Sequence, residues 1–81
     1  MKALRLPPAN FRVKNTEKGR LIFDPIRKKF VSLQPEEWVR QHIVHWLMEF
    51  KKVPVSLIYV EKQLLIAGTS KRYDIVVFLP D

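Results

Sequence analysis

Asp74 is the residue of this chain whose type and position most directly suggest chemistry. It stands in the stretch KRYDIVVFLPD, residues 71–81, immediately before five consecutive apolar residues. A run of this kind is typical of a strand buried on both faces, so we expect Asp74 to lie where the strand emerges from the core. A carboxylate at such a point often serves a functional site. The structural alternative is that it ends a turn and pairs with Lys71 or Arg72.

Glu36 is the second candidate, because a helix that begins at Pro35 places it near the apolar side. On a helical wheel Glu36 lies roughly 40° to 60° from the apolar stripe, whereas Glu37 points to solvent. Glu36 either faces the same site as Asp74 or acts only as a cap or a partner of the helix dipole. Arg40, one turn later, either contacts phosphate or pairs with Glu36.

Three further groups have side chains that binding sites use. His42 and His45 share one helix side at the spacing of a metal pair, but no third ligand is evident and zinc sites usually need at least three. Trp38 is open to base stacking or to a structural role. Lys71 and Arg72, next to Asp74, are the candidate phosphate contacts, with a solvated turn as the alternative.

The elements that must position these residues follow from turn signals and apolar patterns. FRVKN and RLIFD predict two antiparallel strands joined at residues 16–19, where Gly19 supplies a positive φ. KKFVSL, residues 28–33, predicts a third short strand. SLIYVEKQLLIAG and DIVVFL predict a second hairpin, with its turn at Gly68-Thr69-Ser70.

Between these strands, the sequence predicts a helix over residues 35–52, with acidic residues in its first turn and Lys51 and Lys52 in its last. Its apolar stripe predicts packing on a sheet, and consists of Val39, Ile43, Trp46 and Phe50, with Leu47 beside them. We therefore expect an α/β fold in which a small mixed sheet packs against one main helix. The single domain, 1–81, comprises an N-terminal hairpin with a short strand (1–34), the helix (35–52) and a strand hairpin (55–81).

Composition limits the classes of protein to which the chain can belong. Fifteen Lys and Arg against eight Asp and Glu give a net charge of +7, which favours a polyanionic partner such as DNA without choosing it. A solvated cationic surface is the alternative. The chain has no Cys, which excludes a disulfide framework and a cysteine zinc site. No signal peptide or membrane-spanning stretch is evident, so we expect a cytoplasmic protein with no membrane partner.

Three segments carry a resemblance to a known family. They are FDPIRKKFVSLQPEEWVRQHIVHWL, YVEKQLLIAG and KRYDIVVF, which together cover most of the chain. In this order they resemble the N-terminal region of type I restriction enzyme R proteins and their stand-alone relatives. The P-E-E-x-x-V-R-Q segment is the most specific part. This chain has Tyr73 where the family often has Pro before the acidic residue.

The resemblance implies a PD-(D/E)XK nuclease fold, in which an acidic residue at a strand start and an E-x-K pair on the next strand hold Mg²⁺ and a water. Asp74 matches the acidic residue and would be the metal ligand. Phosphodiester cleavage needs a hard cation on oxygen ligands and a water activated near neutral pH. The E-x-K lysine orients water and offsets phosphate charge. The catalytic candidates are thus Asp74 and Glu36, and the nucleic-acid contacts are Lys71, Arg72 and Arg40.

The literal E-x-K of this chain, residues 49–51, does not fit that role. It falls within the predicted helix, where residues two apart point about 200° away from each other, and it precedes Asp74. We therefore expect a partial restriction-endonuclease-like fold that ends before the E-x-K strand, does not bind Mg²⁺ as it stands and is inactive. An E-x-K strand further along the parent reading frame would complete the site.

Three functions remain open at the sequence level. The first is the N-terminal part of a metal-dependent DNA endonuclease domain of restriction-modification type. The second is a nucleic-acid-binding module without cleavage, and the third is a structural or interaction domain. Because residues 75–79 carry neither charge nor proline, we also expect a homodimer formed through this exposed strand.

Overall fold

A computed structural model describes residues 10–79, which form one α-helix, a short 3₁₀-helix (Val55–Leu57) and two antiparallel sheets. The first sheet has three strands in the order β1-β2-β3, and the second consists of β4 and β5. The predicted α/β class with one main helix is confirmed. Residues 1–9 and 80–81, which belong to the predicted units 1–34 and 55–81, lie outside the described residues. The elements are β1 (Val13–Thr16), β2 (Gly19–Asp24), β3 (Lys29–Ser32), α1 (Pro35–Glu49), β4 (Ile58–Ile66) and β5 (Thr69–Val77).

The first sheet is built on two short turns that the sequence encodes locally. The β1–β2 turn closes with Thr16 paired to Gly19, whose φ of 124° confirms the predicted glycine turn. Between β2 and β3, the Asp24 side chain accepts a hydrogen bond of 2.8 Å from the Ile26 backbone N–H. An Asp that binds the backbone two residues later is a common turn former. This turn fixes Asp24 at the end of β2, where it is fully buried.

The helix α1 begins as predicted and ends earlier. Pro35 occupies its first turn together with Glu36 and Glu37, which confirms the predicted start. The predicted end at residue 52 was wrong, because the helix stops at Glu49 and its last turn contains no basic residue. Lys52 adopts a positive φ of 56°, a conformation that leaves the helix.

The predicted apolar face of α1 was also wrong. Val39 and Phe50 are exposed, and the buried helix residues are Glu37, Arg40, Gln41 and Val44. At 100° per residue, the centre of this buried face lies roughly 140° around the helix from the predicted stripe. The reason is that three of its four members are polar side chains, which a helical wheel assigns to solvent. They are buried because they bind charged groups of neighbouring elements.

The second sheet is a long hairpin whose turn is displaced from its predicted position. Ala67 and Gly68 form a two-residue loop between Ile66 and Thr69, and both have positive φ, as a type I′ turn requires. The predicted turn at Gly68-Thr69-Ser70 was therefore wrong by one to two residues. As a consequence β5 begins at Thr69, and Asp74 lies in the middle of the strand rather than at its mouth.

The apolar core of the described residues is small. Its fully buried aliphatic members are Ile22 of β2, Val44 of α1 and Ile58 of β4. The run after Asp74 is only half-buried at residues 75–77, so the expected burial on both faces is wrong. Within residues 10–79, no helix is both long and apolar enough to cross a bilayer. Because so few apolar side chains are buried, polar contacts contribute much of the packing between elements.

Candidate functional site

Glu37 organises a cluster of charged side chains at the N-terminal part of α1. Its Oε1 accepts hydrogen bonds of 2.8 Å from Arg27 Nη2 and from Arg40 Nη1. Its Oε2 accepts one of 3.0 Å from Gln41 Nε2. Only 6% of Glu37 is exposed, so both oxygens are satisfied by the protein in a region shielded from water. Glu37 thereby fixes the positions of two guanidinium groups.

Arg27, from the β2–β3 turn, joins three elements through this cluster. It donates to Asp24 at the end of β2, to Glu37 of α1 and to Glu61 of β4. Burial alone would raise the pKa of Asp24, but hydrogen bonds from Arg27 and the Ile26 backbone outweigh it and hold that pKa below its usual value. Although burial opposes it, the pKa of Arg27 is raised by its bonds to Asp24 and Glu37. Arg27 is thus a permanent cation tied to two buried carboxylates.

Glu61 lies opposite Asp74 on the β4–β5 hairpin. The pairs Val60↔Ile75 and Lys62↔Tyr73 fix this register, and the ladder is interrupted between them. Residues directly opposite on antiparallel strands project from the same face. Both carboxylates accordingly approach Arg40: Glu61 Oε1 lies 3.4 Å from Nη1, and Asp74 Oδ1 lies 3.7 Å from Nη2.

The Asp74 carboxylate is the open acidic group of this cluster. Its side chain is 88% exposed, and its ion pair with Arg40 is longer than a hydrogen bond. Glu37 and Glu61, in contrast, accept hydrogen bonds from arginines. Within residues 10–79, no three His, Cys, Asp or Glu side chains are grouped so that they could hold a metal ion. Among Glu37, Glu61 and Asp74, Asp74 is therefore the carboxylate most accessible from solvent.

The first helical turn is oriented differently from the prediction. Glu37 faces inward and Glu36 is exposed, which reverses the predicted orientation of the two residues. Arg40 pairs with Glu37 at i,i+3 and not with Glu36. The inward geometry that suggested a site role for Glu36 thus belongs to Glu37. The catalytic role of Glu36 itself stays a prediction.

The predicted nucleic-acid contacts divide into exposed and buried residues. Lys71 is exposed, and Arg72 keeps a 65% exposed side chain while pairing with Glu61 at 3.1 Å. Arg40 is only 8% exposed and faces the two carboxylates of the hairpin. Lys71 and Arg72 are therefore accessible from solvent, whereas Arg40 is buried beside Glu61 and Asp74.

The histidine pair belongs to an aromatic cluster. His42 Nδ1 and His45 Nδ1 each lie 2.8 Å from a carbonyl oxygen one turn earlier in the helix. The Phe11 ring packs on both imidazoles at centroid distances of 4.6 and 4.8 Å, and on Trp38 at 5.3 Å. These contacts give His42, His45 and Trp38 a structural role in attaching the segment before β1 to α1.

Sequence reasoning missed Asp24, Arg27 and Glu61, and misread Glu37. The Asp-Pro dipeptide at residues 24–25 is a turn-initiating signal that marks Asp24. Reading Ala67-Gly68 as a two-residue hairpin loop would have counted Glu61 into register with Asp74. Nothing in the sequence marks Arg27, because only Asp24 is close to it along the chain and its other two partners, Glu37 and Glu61, belong to later elements.

A comparison with known protein families matched the part of the chain that contains α1 and the β4–β5 hairpin, which carry most of this cluster. Residues 35–81 match the model of the family described as type I restriction enzyme R protein N terminus. This chain belongs to that family. Comparisons with curated proteins and with solved structures gave no significant match. The type I restriction enzyme R protein N-terminal family thus accounts for α1, β4 and β5.

Within this restriction-enzyme family region lie Glu37 and Arg40 of the helix and Glu61, Arg72 and Asp74 of the hairpin. Asp24 and Arg27 precede it. The β1–β3 sheet is therefore attached to the family region by the ion pairs of Arg27 with Glu37 and Glu61. The chain is related to restriction-modification proteins, and its charged cluster lies where the family region meets the first sheet.

Proposed function

We propose that this chain is part of a metal-dependent DNA endonuclease domain of restriction-modification type, with Asp74 as a ligand of Mg²⁺. The observation that supports it is the position of the exposed Asp74 carboxylate in the family-matched hairpin. This carboxylate faces the buried guanidinium of Arg40, which the Glu37 carboxylate holds in place. Mg²⁺ is typically bound by one or two carboxylates plus substrate phosphates and waters. Asp74 supplies one such carboxylate.

The cation, when bound, polarises the phosphate and lowers the pKa of a coordinated water. The residues of this chain supply position and charge. Arg40 lies beside Asp74 and is held by Glu37 at 2.8 Å, so its guanidinium is already oriented before DNA arrives. An oriented guanidinium at this point stabilises negative charge on a phosphate without reorganising. In a restriction-endonuclease-like fold with an E-x-K strand, that strand would lie beside β5.

A nucleic-acid-binding module without cleavage is the second candidate. It is favoured by the net charge of +7 and by the engagement of Glu37 and Glu61 with arginines rather than with an open site. The two candidates share DNA binding and differ in cleavage. A DNA-binding assay therefore tests what they share, and a cleavage assay with an Asp74 variant separates them.

The double charge reversal Lys71→Glu/Arg72→Glu is expected to weaken DNA binding equally for all sequences. It should also reduce the slope of log K against log salt by about 1 to 2, because each phosphate contact releases counterions. Binding of duplex oligonucleotides of unrelated sequence would be measured by anisotropy at several salt concentrations.

The matched control is Lys51→Glu/Lys52→Glu, which makes the same charge change at two exposed residues beyond the end of α1. Circular dichroism establishes that both variants fold. An equal loss of affinity and of slope in the two variants would assign the effect to net charge and remove Lys71 and Arg72 as contacts.

We further propose that the free edge of β5 pairs with a second copy of the chain. Among residues 10–79, β5 pairs with β4 on one side and with no strand on the other. Phe78 and Leu79, which follow it, are exposed at 41% and 83%. Residues 75–79, at the C-terminal end of this edge, carry neither charge nor proline, which favours pairing between chains there.

Sedimentation at high micromolar concentration is expected to give a dimer of the 9.6 kDa chain. The variant Leu79→Lys, with a charge at an exposed position next to the edge, should shift it to monomer. The variant Leu65→Lys, at the exposed tip of the hairpin, is the control and should leave the dimer intact. A monomeric wild-type chain at every concentration would contradict the proposal.

A further inference from the structure

Three arginines from three different elements converge on the carboxylate of Glu61. Arg72 Nη2 of β5 lies 3.1 Å from Oε2, Arg27 Nη1 of the β2–β3 turn lies 3.4 Å from Oε2, and Arg40 Nη1 of α1 lies 3.4 Å from Oε1. Two of these distances exceed the usual 2.7 to 3.2 Å of an N–H···O bond. The guanidinium groups therefore surround an anion that binds none of them closely except Arg72.

Two of these arginines, Arg27 and Arg40, are held more closely by other carboxylates than by Glu61. Glu37 holds Arg27 and Arg40 at 2.8 Å each, and Asp24 binds Arg27 as well. Removing the Glu61 carboxylate would thus leave two of the three guanidinium groups in place. Arg27 and Arg40 form a preorganised part of the cluster, and Glu61 is the exchangeable part.

The backbone of Glu61 is in an unfavourable conformation. Its φ is 52°, in the left-handed region, and the ladder between β4 and β5 is interrupted at this residue. A non-glycine residue in this region is energetically unfavourable, and such residues are concentrated at ligand-binding and switch positions. The Glu61 side chain is also 36% exposed, so its carboxylate has a path to solvent.

We propose that Arg27, Arg40 and Arg72 form a site for a backbone phosphodiester of DNA, and that the Glu61 carboxylate occupies this site until the phosphate displaces it. The inference rests on the proposed function for the identity of the ligand as DNA. Guanidinium groups bind phosphate oxygens through paired hydrogen bonds, which makes arginine the preferred residue for such sites. Glu61 thereby lowers the affinity for DNA by competing with the phosphate.

A purely structural role for Glu61 is the alternative, in which it ties the hairpin to α1 and to the first sheet. The two roles predict opposite effects of removing the charge. Loss of a structural ion pair lowers stability and leaves DNA affinity unchanged or lower, whereas loss of a competitor raises affinity for phosphate.

The test compares Glu61→Gln with Glu17→Gln. Glu17 lies in the exposed β1–β2 turn and makes no ion pair with the described residues. Both variants replace one Glu by Gln, so they change the net charge equally. Glu61→Gly is the second variant, because glycine adopts the positive φ freely. With a duplex oligonucleotide, we expect Glu61→Gln and Glu61→Gly to bind about 5 to 20 times more tightly than wild type, and Glu17→Gln less than about 2 times.

Inorganic phosphate is the second probe, with arginine side-chain N–H resonances as the readout. In Glu61→Gln, millimolar phosphate should shift the resonances of Arg27 and Arg72 more than in wild type. If phosphate binding is gained without DNA binding in any variant, the arginine site stands and the proposed DNA function fails. If Glu61→Gln and Glu61→Gly bind both probes no better than Glu17→Gln, Glu61 is structural and the inference is overturned.

Discussion

In a protein where an E-x-K strand complements this chain, the substitution Asp74→Asn is expected to lower DNA cleavage at least about 100-fold, because it removes the open carboxylate proposed to hold the metal. Folding should be unaffected. The Asp74 side chain is 88% exposed and its ion pair with Arg40 is 3.7 Å long, so the free energy of unfolding should change by less than about 0.5 kcal/mol. Nicking of supercoiled plasmid with Mg²⁺, alongside urea unfolding, measures both quantities.

Two further cleavage measurements accompany this experiment. Glu36→Gln tests the predicted catalytic role of the exposed first-turn residue, whose loss should reduce cleavage if that role is real. The 81-residue chain tests whether these residues suffice, and we expect no nicking, because one open carboxylate does not position metal and water together. Cleavage at the wild-type rate by Asp74→Asn in the protein complemented by an E-x-K strand would contradict a role for Asp74 in the site.

The substitution Asp24→Ala is expected to destabilise the chain by roughly 3 kcal/mol, a large part of the stability of a domain this small. Asp24 is fully buried and binds both Arg27 and the Ile26 backbone N–H. Its removal leaves a buried donor unsatisfied and frees the arginine that connects the first sheet to α1 and β4. The unfolding midpoint in urea should fall, with the fluorescence of the two tryptophans as the probe.

The acid dependence of stability gives an independent measure of the same residue. Because the folded-state pKa of Asp24 is lowered, its contribution to stability is complete above the unfolded-state pKa of about 4 and is lost as pH falls through the folded-state pKa. Asp24→Asn keeps the size and the acceptor for Ile26, so it should cost less than Asp24→Ala and should share its weaker acid dependence. An unchanged acid dependence in both variants would show that Asp24 is not the group responsible.

Local structure follows from local signals in this chain. The glycine turn at residues 16–19, the start of α1 at Pro35 and the existence of the second hairpin are each determined by residues within a few positions of one another. The resemblance to the restriction enzyme family is also local, because it is carried by contiguous sequence segments in α1, β4 and β5. Asp74 was found in this way, from one residue and its flanking strand.

The end of α1 and the position of the second hairpin turn were not predicted by the apolar patterns of the sequence. The helix ends at Glu49 instead of at residue 52, and Lys52 adopts a positive φ of 56° that is incompatible with continuing it. The hairpin loop uses Ala67, a residue without a strong turn preference, at a positive φ. That displacement moved Asp74 from the start of a strand to its middle, opposite Glu61.

The sequence by itself determined the α/β class, the start of the helix at Pro35, the family and the candidate carboxylate Asp74. Only the tertiary structure decided that Glu37 faces inward and that Arg27, Arg40 and Arg72 surround Glu61. The physical reason is that a charged side chain is buried only when partners from distant segments satisfy it, and hydrophobic periodicity contains no information about those partners. The helix turns its polar face inward because Arg27 and the β4–β5 hairpin meet it there.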